Sequence, residues 1–190
     1  MRKLPRFSVL KANYPDKVAF GTKALLDTIG GDVRRQFNDA INTCALRISW
    51  CLNKSDQPIV RVPNLAFASG TKAKPDPKRN KPEPAPLYLF RASEMKTYLE
   101  AQYGPGTLIY DASVAPEKVK LGGRKAVQGI IAFDWLGRFD EFGASGHVDL
   151  FFVLDQGSAA SPQFVPACAG ACYWQDSKKP MKAYLWETEA

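Results

Sequence analysis

Apolar positions along this chain fall into two regimes. Through the first hundred or so residues they recur mostly at helical spacing; beyond that they gather into short strand-like runs. Val18, Leu25, Leu26 and Ile29 predict a helix over Asp16 to Ile29, interrupted at Gly21 and ended by Gly30-Gly31. Asp32 can cap a second, short helix carrying Val33 and Phe37. A third begins at Asn42 or Thr43 and runs through Asn53. Its apolar positions Ala45, Leu46, Ile48, Trp50 and Leu52 lie on most of its sides, so it belongs in the core. Ser93 to Tyr103 reads as a helix capped by Ser93, buried along Met95, Tyr98 and Leu99, and stopped by Gly104. Strands follow over Leu108 to Tyr110, Ala126 to Asp134, His147 to Leu154, Cys172 to Gln175 and Ala183 to Trp186.

Helices first and strands afterwards predict an α+β fold. The 190 residues suit one domain, 1–190, with a single core. One segment breaks the pattern. Thr71 to Pro86 carries Pro75, Pro77, Pro82, Pro84 and Pro86 among Lys72, Lys74, Lys78, Arg79 and Lys81. Proline lacks a backbone donor and disfavours helix before it, so this Lys/Pro-rich stretch reads as an exposed, semi-extended loop inserted at about 71–86.

Charge narrows the partners without naming one. The formal net charge of +7 favours something anionic: nucleic acid, an acidic membrane surface, an acidic inhibitor protein or the cell wall. Simple solubility is the plainer account. No apolar run approaches the roughly 20 residues of a transmembrane helix, so membrane insertion is not expected. The basic residues Arg2, Lys3 and Arg6 are not followed by an apolar stretch of signal-peptide length, so export through a cleaved signal is not expected either. His147 is the one histidine, and no CxxC pair occurs among Cys44, Cys51, Cys168 and Cys172. A structural zinc site is therefore not expected, and no cofactor is called for.

Two places carry candidate chemistry. In Asn42-Thr43-Cys44-Ala45-Leu46-Arg47-Ile48-Ser49 a polar capping pair stands before a cysteine that opens a buried helix. The first turn of a helix offers unpaired N–H groups and the positive end of the macrodipole. Both favour a thiolate, and both favour the oxyanion formed when it attacks an amide. A buried cysteine can equally be plain packing. Cys51, seven residues on, lies about 10 Å along the axis, too far for a disulfide with Cys44, and reads as core. The second place is Gly146-His147-Val148-Asp149-Leu150, where a glycine leads into an apolar strand that begins with the histidine. A thiol nucleophile working near neutral pH wants an imidazole to take and return its proton. Asp149, two positions on, shares the face of His147 and can hold its tautomer, or simply line a polar edge.

These segments resemble the fourth family of type VI secretion amidase effectors, whose fold is similar to the NlpC/P60 and papain-like peptidases. The likeness rests on Asn13-Tyr14-Pro15, Gly30-Gly31-Asp32-Val33, Asn42 to Ser49 continuing to Leu52-Asn53, and Gly146 to Leu150. Gly129 to Phe133 and Cys168 to Trp174 support it. The resemblance implies a cysteine amidase that cuts peptidoglycan stem peptides between D-glutamate and diaminopimelate, with Cys44 as nucleophile and His147 as base. It implies partners too: the secretion apparatus, a cognate immunity protein in the producer, and the wall of a recipient bacterium reached in its periplasm. In such folds the third catalytic group usually comes from the strand after the histidine strand. Cys168 to Trp174 supplies no carboxylate, asparagine or histidine there, so Asp149 is preferred over Asp155. The spacing of Cys168 and Cys172 around Gly170 can close a short disulfide, which would suit an oxidising periplasm; two reduced loop thiols are the other reading.

Two further readings compete. The same thiol scaffold could serve an amidase or acyl transferase acting on protein. A non-enzymatic basic module could use the Lys/Pro loop to grip nucleic acid, but the basic residues sit in one loop without interleaved aromatics, so no nucleic-acid partner is expected.

Overall fold

The chain begins with Phe7 and Leu10 one helical turn apart, and both are buried on α1 (Phe7–Asn13). The computed structural model describes residues 1–17, 19–39, 41–71, 84–111, 113, 126–134, 146–154, 163–165 and 182–189. α2 (Thr22–Ile29) starts later than the apolar spacing predicts. The cause is local: the Asp16 carboxylate accepts the Ala19 N–H at 3.1 Å and the Asp16 carbonyl accepts the Phe20 N–H, forming a turn that competes with helix. Gly30 and Gly31 then reverse the chain at φ +60° and +57° into α3 (Gly31–Gln36). A β-carbon on Gly31 would lie 2.4 Å from the Gly70 carbonyl carbon, so only glycine fits this close approach. Asp32 does not cap α3. It sits in the first turn and bonds Ser69 and Arg35.

α4 (Cys44–Lys54) is buried on most sides, as its composition predicts, although Trp50 is only half-buried beneath the Lys54 ammonium. β1 (Ala68–Ser69) and β2 (Leu87–Tyr88) form an antiparallel ribbon that the sequence did not announce. The ribbon brackets the predicted insertion: Ser69 pairs with Leu87, and the Gly70 N–H bonds the Pro86 carbonyl at 2.8 Å. Residues 72–83 of that insertion lie outside the described residues. α5 (Ala92–Tyr103) buries Met95, Tyr98 and Leu99 and stops at Gly104 with φ +89°. It starts one residue early, so Ser93 lies inside the first turn and not at the cap.

The second half supplies an antiparallel sheet in the order β3–β7–β4–β5–β6. The strands are β3 (Thr107–Asp111), β4 (Ala126–Asp134), β5 (Gly146–Leu154), β6 (Gln163–Val165) and β7 (Lys182–Glu187). β7 therefore lies between β3 and β4. The predicted strand over Cys172 to Gln175, the Cys168–Cys172 pair and Asp155 fall outside the described residues. Val148 and Leu150 of β5, with Ile130 and Ala132 of β4, enter one core with Phe7, Leu10, Cys44, Ala45, Ile48, Met95 and Leu99. A second core joins α2 and α3 to Leu46, Ala68 and Tyr88. The result is the α+β, papain-like arrangement expected from the sequence: a helix that opens on Cys44, packed on an antiparallel sheet.

Candidate active site

Cys44 is the first residue of α4, and its side chain is buried. Thr43 holds the cap position without a side-chain cap bond; instead Asn42 Oδ1 accepts the Cys44 N–H at 3.1 Å. The thiol thus stands at the positive end of an eleven-residue helix. Cys51 is different in kind. It is fully buried, its thiol donates to the Leu10 carbonyl at 3.1 Å, and burial pushes its pKa up to about 12.

His147 and Asp149 lie on β5 opposite Phe133 and Ile131 of β4, and both are buried. His147 Nε2 and Asp149 Oδ2 are 3.4 Å apart, and the ring stacks near Phe133 at a centroid separation of 6.2 Å. Asp149 Oδ1 accepts the Leu150 N–H at 2.8 Å, which fixes the rest of the carboxylate.

Two residues that sequence reasoning did not place in the site join these elements. Tyr14, just past α1, lies within electrostatic reach of Asp149, Arg47 and Cys44. Its ring keeps some solvent exposure, but desolvation of the hydroxyl, followed by the Asp149 charge, raises its pKa well above the ordinary value. Arg47 is buried one turn after Cys44. Its Nε donates to Thr43 Oγ1 at 3.0 Å, and its Nη1 donates to the carbonyls of Pro15 and Phe20. Burial lowers its pKa, while Tyr14, Asp149, Asp16 and Cys44 push it back up. Electrostatic coupling thus links Cys44 and Arg47 of α4 to Tyr14 and to Asp149 of β5, and His147 joins the group through Asp149. Arg47 had a sequence signal, as a charge set among the buried positions of α4. Tyr14 had none beyond its place in Asn13-Tyr14-Pro15.

Among the described residues no group of three or more His, Cys, Asp or Glu side chains is placed to hold a metal ion, and no helix is long and apolar enough to cross a membrane.

A family model described as type VI secretion system (T6SS), amidase effector protein 4, matches residues 41–186. Among solved structures, the effector Tae4 in the Tae4–Tai4 effector–immunity complex from Enterobacter cloacae is 22% identical, covers 100% of both chains and superposes with a TM-score of 0.66. The Tae4–Tai4 complex from Salmonella Typhimurium is 24% identical over 97% of this chain and 99% of that one, at a TM-score of 0.61. At such identities these structures speak to the fold alone. A search of curated protein sequences finds no match.

Proposed function

Because this chain belongs to the type VI secretion amidase effector 4 family, it is an amidase effector, and we propose that it hydrolyses peptidoglycan stem peptides by cysteine catalysis. The family places it among enzymes, which sets aside the basic binding-module reading. What supports the chemistry is a helix-start thiol and a buried guanidinium on α4, together with a buried histidine–carboxylate pair on β5, the strand packed against that helix.

In this mechanism the Cys44 thiol gives its proton to His147, and the thiolate attacks the carbonyl carbon of the scissile amide. Nε2 faces Asp149, which leaves Nδ1 as the nitrogen that exchanges protons with Cys44 and the leaving amine. Negative charge on sulfur and on the tetrahedral oxygen develops at the positive end of α4, near the Arg47 cation. His147 then protonates the departing amine. A water molecule, giving its proton to the same imidazole, hydrolyses the thioester and returns the thiol. Asp149 orients the ring and balances its charge when protonated.

The D-glutamate–diaminopimelate bond is the proposed scissile bond, and the periplasm of a recipient bacterium the proposed site of action. A cognate immunity protein in the producing cell fits the effector–immunity pairing of the similar solved structures. The test is digestion of purified sacculi with mass spectrometry of the released fragments. Wild type should yield new termini at one stem-peptide bond, and Cys44→Ala and His147→Ala should each yield none. The double variant should be little worse than either, since the pair acts as a unit. Undiminished release by Cys44→Ala would end the cysteine mechanism.

A further inference from the structure

The first turn of α4 is closed twice by the same two residues. The Arg47 N–H donates to the Thr43 carbonyl at 2.9 Å, as helix geometry requires, and Arg47 Nε donates to Thr43 Oγ1 at 3.0 Å. The two bonds enclose Cys44, Ala45 and Leu46, so the thiol stands inside a stapled turn. A threonine at a helix cap ordinarily turns its hydroxyl inward to accept an N–H of the first turn. Thr43 makes no such cap bond; its oxygen goes to the guanidinium instead. Thr43 and Arg47 are 4% and 2% exposed, so water does not compete for this bond. The guanidinium is anchored in turn, since its Nη1 donates to the carbonyls of Pro15 and Phe20. One residue before Thr43, Asn42 Oδ1 holds the Cys44 N–H.

We infer that Thr43 is a positioning residue of the amidase: its hydroxyl, held by Arg47, fixes the turn that carries Cys44 and so sets where the sulfur stands. The inference rests on Cys44 being the nucleophile. Thr43 acts through its neighbour in the chain and not on the substrate. A thiol that is slightly misplaced still meets a bound peptide but attacks it from a poor angle. The loss should therefore fall on kcat and leave KM alone. A bond that served only the fold would instead lower the urea midpoint and leave turnover per folded molecule unchanged.

The experiment compares wild type, Thr43→Val, Thr43→Ser, Arg47→Met and the double variant of Thr43→Val with Arg47→Met, with Cys44→Ala as the control. It measures kcat and KM on a soluble stem peptide, at a temperature where urea unfolding shows each protein folded. Thr43→Val keeps the branched shape and removes the acceptor. It should lower kcat roughly ten- to a hundredfold, with KM within about twofold. Thr43→Ser keeps the oxygen and should recover most of that loss. In the Arg47→Met background Thr43→Val should cost little further, because the Nε donor is already gone. If Thr43→Val does not fold, Thr43→Ala, with less bulk in the same buried place, is read in the same way. Wild-type kcat per folded molecule in Thr43→Val would overturn the role, whatever its urea midpoint. So would an equal fall in Thr43→Ser, which would put the effect on the methyl group, or a full further loss on top of Arg47→Met. An active Cys44→Ala would bring down the cysteine reading itself. A dead Cys44→Ala beside an unimpaired Thr43→Val would remove Thr43 alone.

Discussion

Replacing Arg47 with methionine should loosen the segment before α2 and destabilise the whole chain. The side chain is 2% exposed and satisfies three acceptors: Thr43 Oγ1, the Pro15 carbonyl and the Phe20 carbonyl. Methionine fills much of the volume and donates to none of them. Each acceptor left buried without a donor costs roughly 1 to 3 kcal/mol. Part of this is offset, because the wild-type chain also bears the cost of holding a guanidinium out of water, seen in the lowered pKa of Arg47. A net loss of about 3 kcal/mol is expected, at the low end of the range for removing one member of a buried charged network. Urea unfolding followed by tryptophan fluorescence measures it, and at roughly 2 to 4 °C per kcal/mol the melting temperature should fall by about 6 to 12 °C. Arg47→Lys should fall between, since an ammonium keeps the charge but cannot reach three acceptors in a fixed fork. The local signature is faster amide exchange over residues 14–20. An Arg47→Met protein with the wild-type urea midpoint would refute the reasoning. So would one that is destabilised without faster exchange in that segment.

The two described thiols should separate cleanly by alkylation and peptide mapping: with Cys51 at about 12, roughly one thiol in ten thousand is ionised at pH 8, so Cys51 should label only on unfolding. Cys51→Ala should keep most activity and lose about 1 kcal/mol through the orphaned Leu10 carbonyl; a dead, folded Cys51→Ala would contradict its core role. Burial holds Tyr88 and Tyr103 at about 12 against an ordinary 10.0, so above that value the folded chain keeps protons the unfolded chain releases. Their contribution should be whole below about pH 10 and lost as pH rises toward 12, read as a falling urea midpoint; a flat midpoint would show these phenols ionising freely in the fold. Cys168→Ser should destabilise oxidised protein by an amount on the order of 2 kcal/mol, read as a lower melting temperature, and leave reduced protein unchanged. All four thiols proving free in protein recovered from a periplasm would exclude the bridge.

The sequence was most readable where one local signal acted alone. β4 spans Ala126 to Asp134 as its short apolar run predicts, and α4 lies within a residue or two of its expected ends. It was least readable where short-range signals competed or were thin. α1 has only two buried positions, too few for a periodicity to show. α2 lost its first turn to the Asp16 side chain, a competition that apolar spacing does not register. The ribbon of β1 and β2 is two residues long on each side and exists through pairing across the insertion. For the candidate site, Cys44, His147 and Asp149 could be proposed because their residue types and local setting carry chemistry. Tyr14 could not, because its nearness to Arg47 and Asp149, both distant in sequence, arises only in the folded chain.

The place of β7 has a consequence for how the protein is made. The hairpin of β4 and β5, which carries His147 and Asp149, can form as soon as it leaves the ribosome. Its β4 edge stays unpaired until residues 182–187 arrive and insert between it and β3. Pairing across such sequence separations is slow, and an open strand edge invites pairing with other chains. A nascent chain that already holds every residue of the candidate site therefore lacks the strand that joins β3 to the rest of the sheet. Strand order delays the finished amidase to a late moment of synthesis, and a chain broken off before β7 is left with an exposed edge in place of a working enzyme.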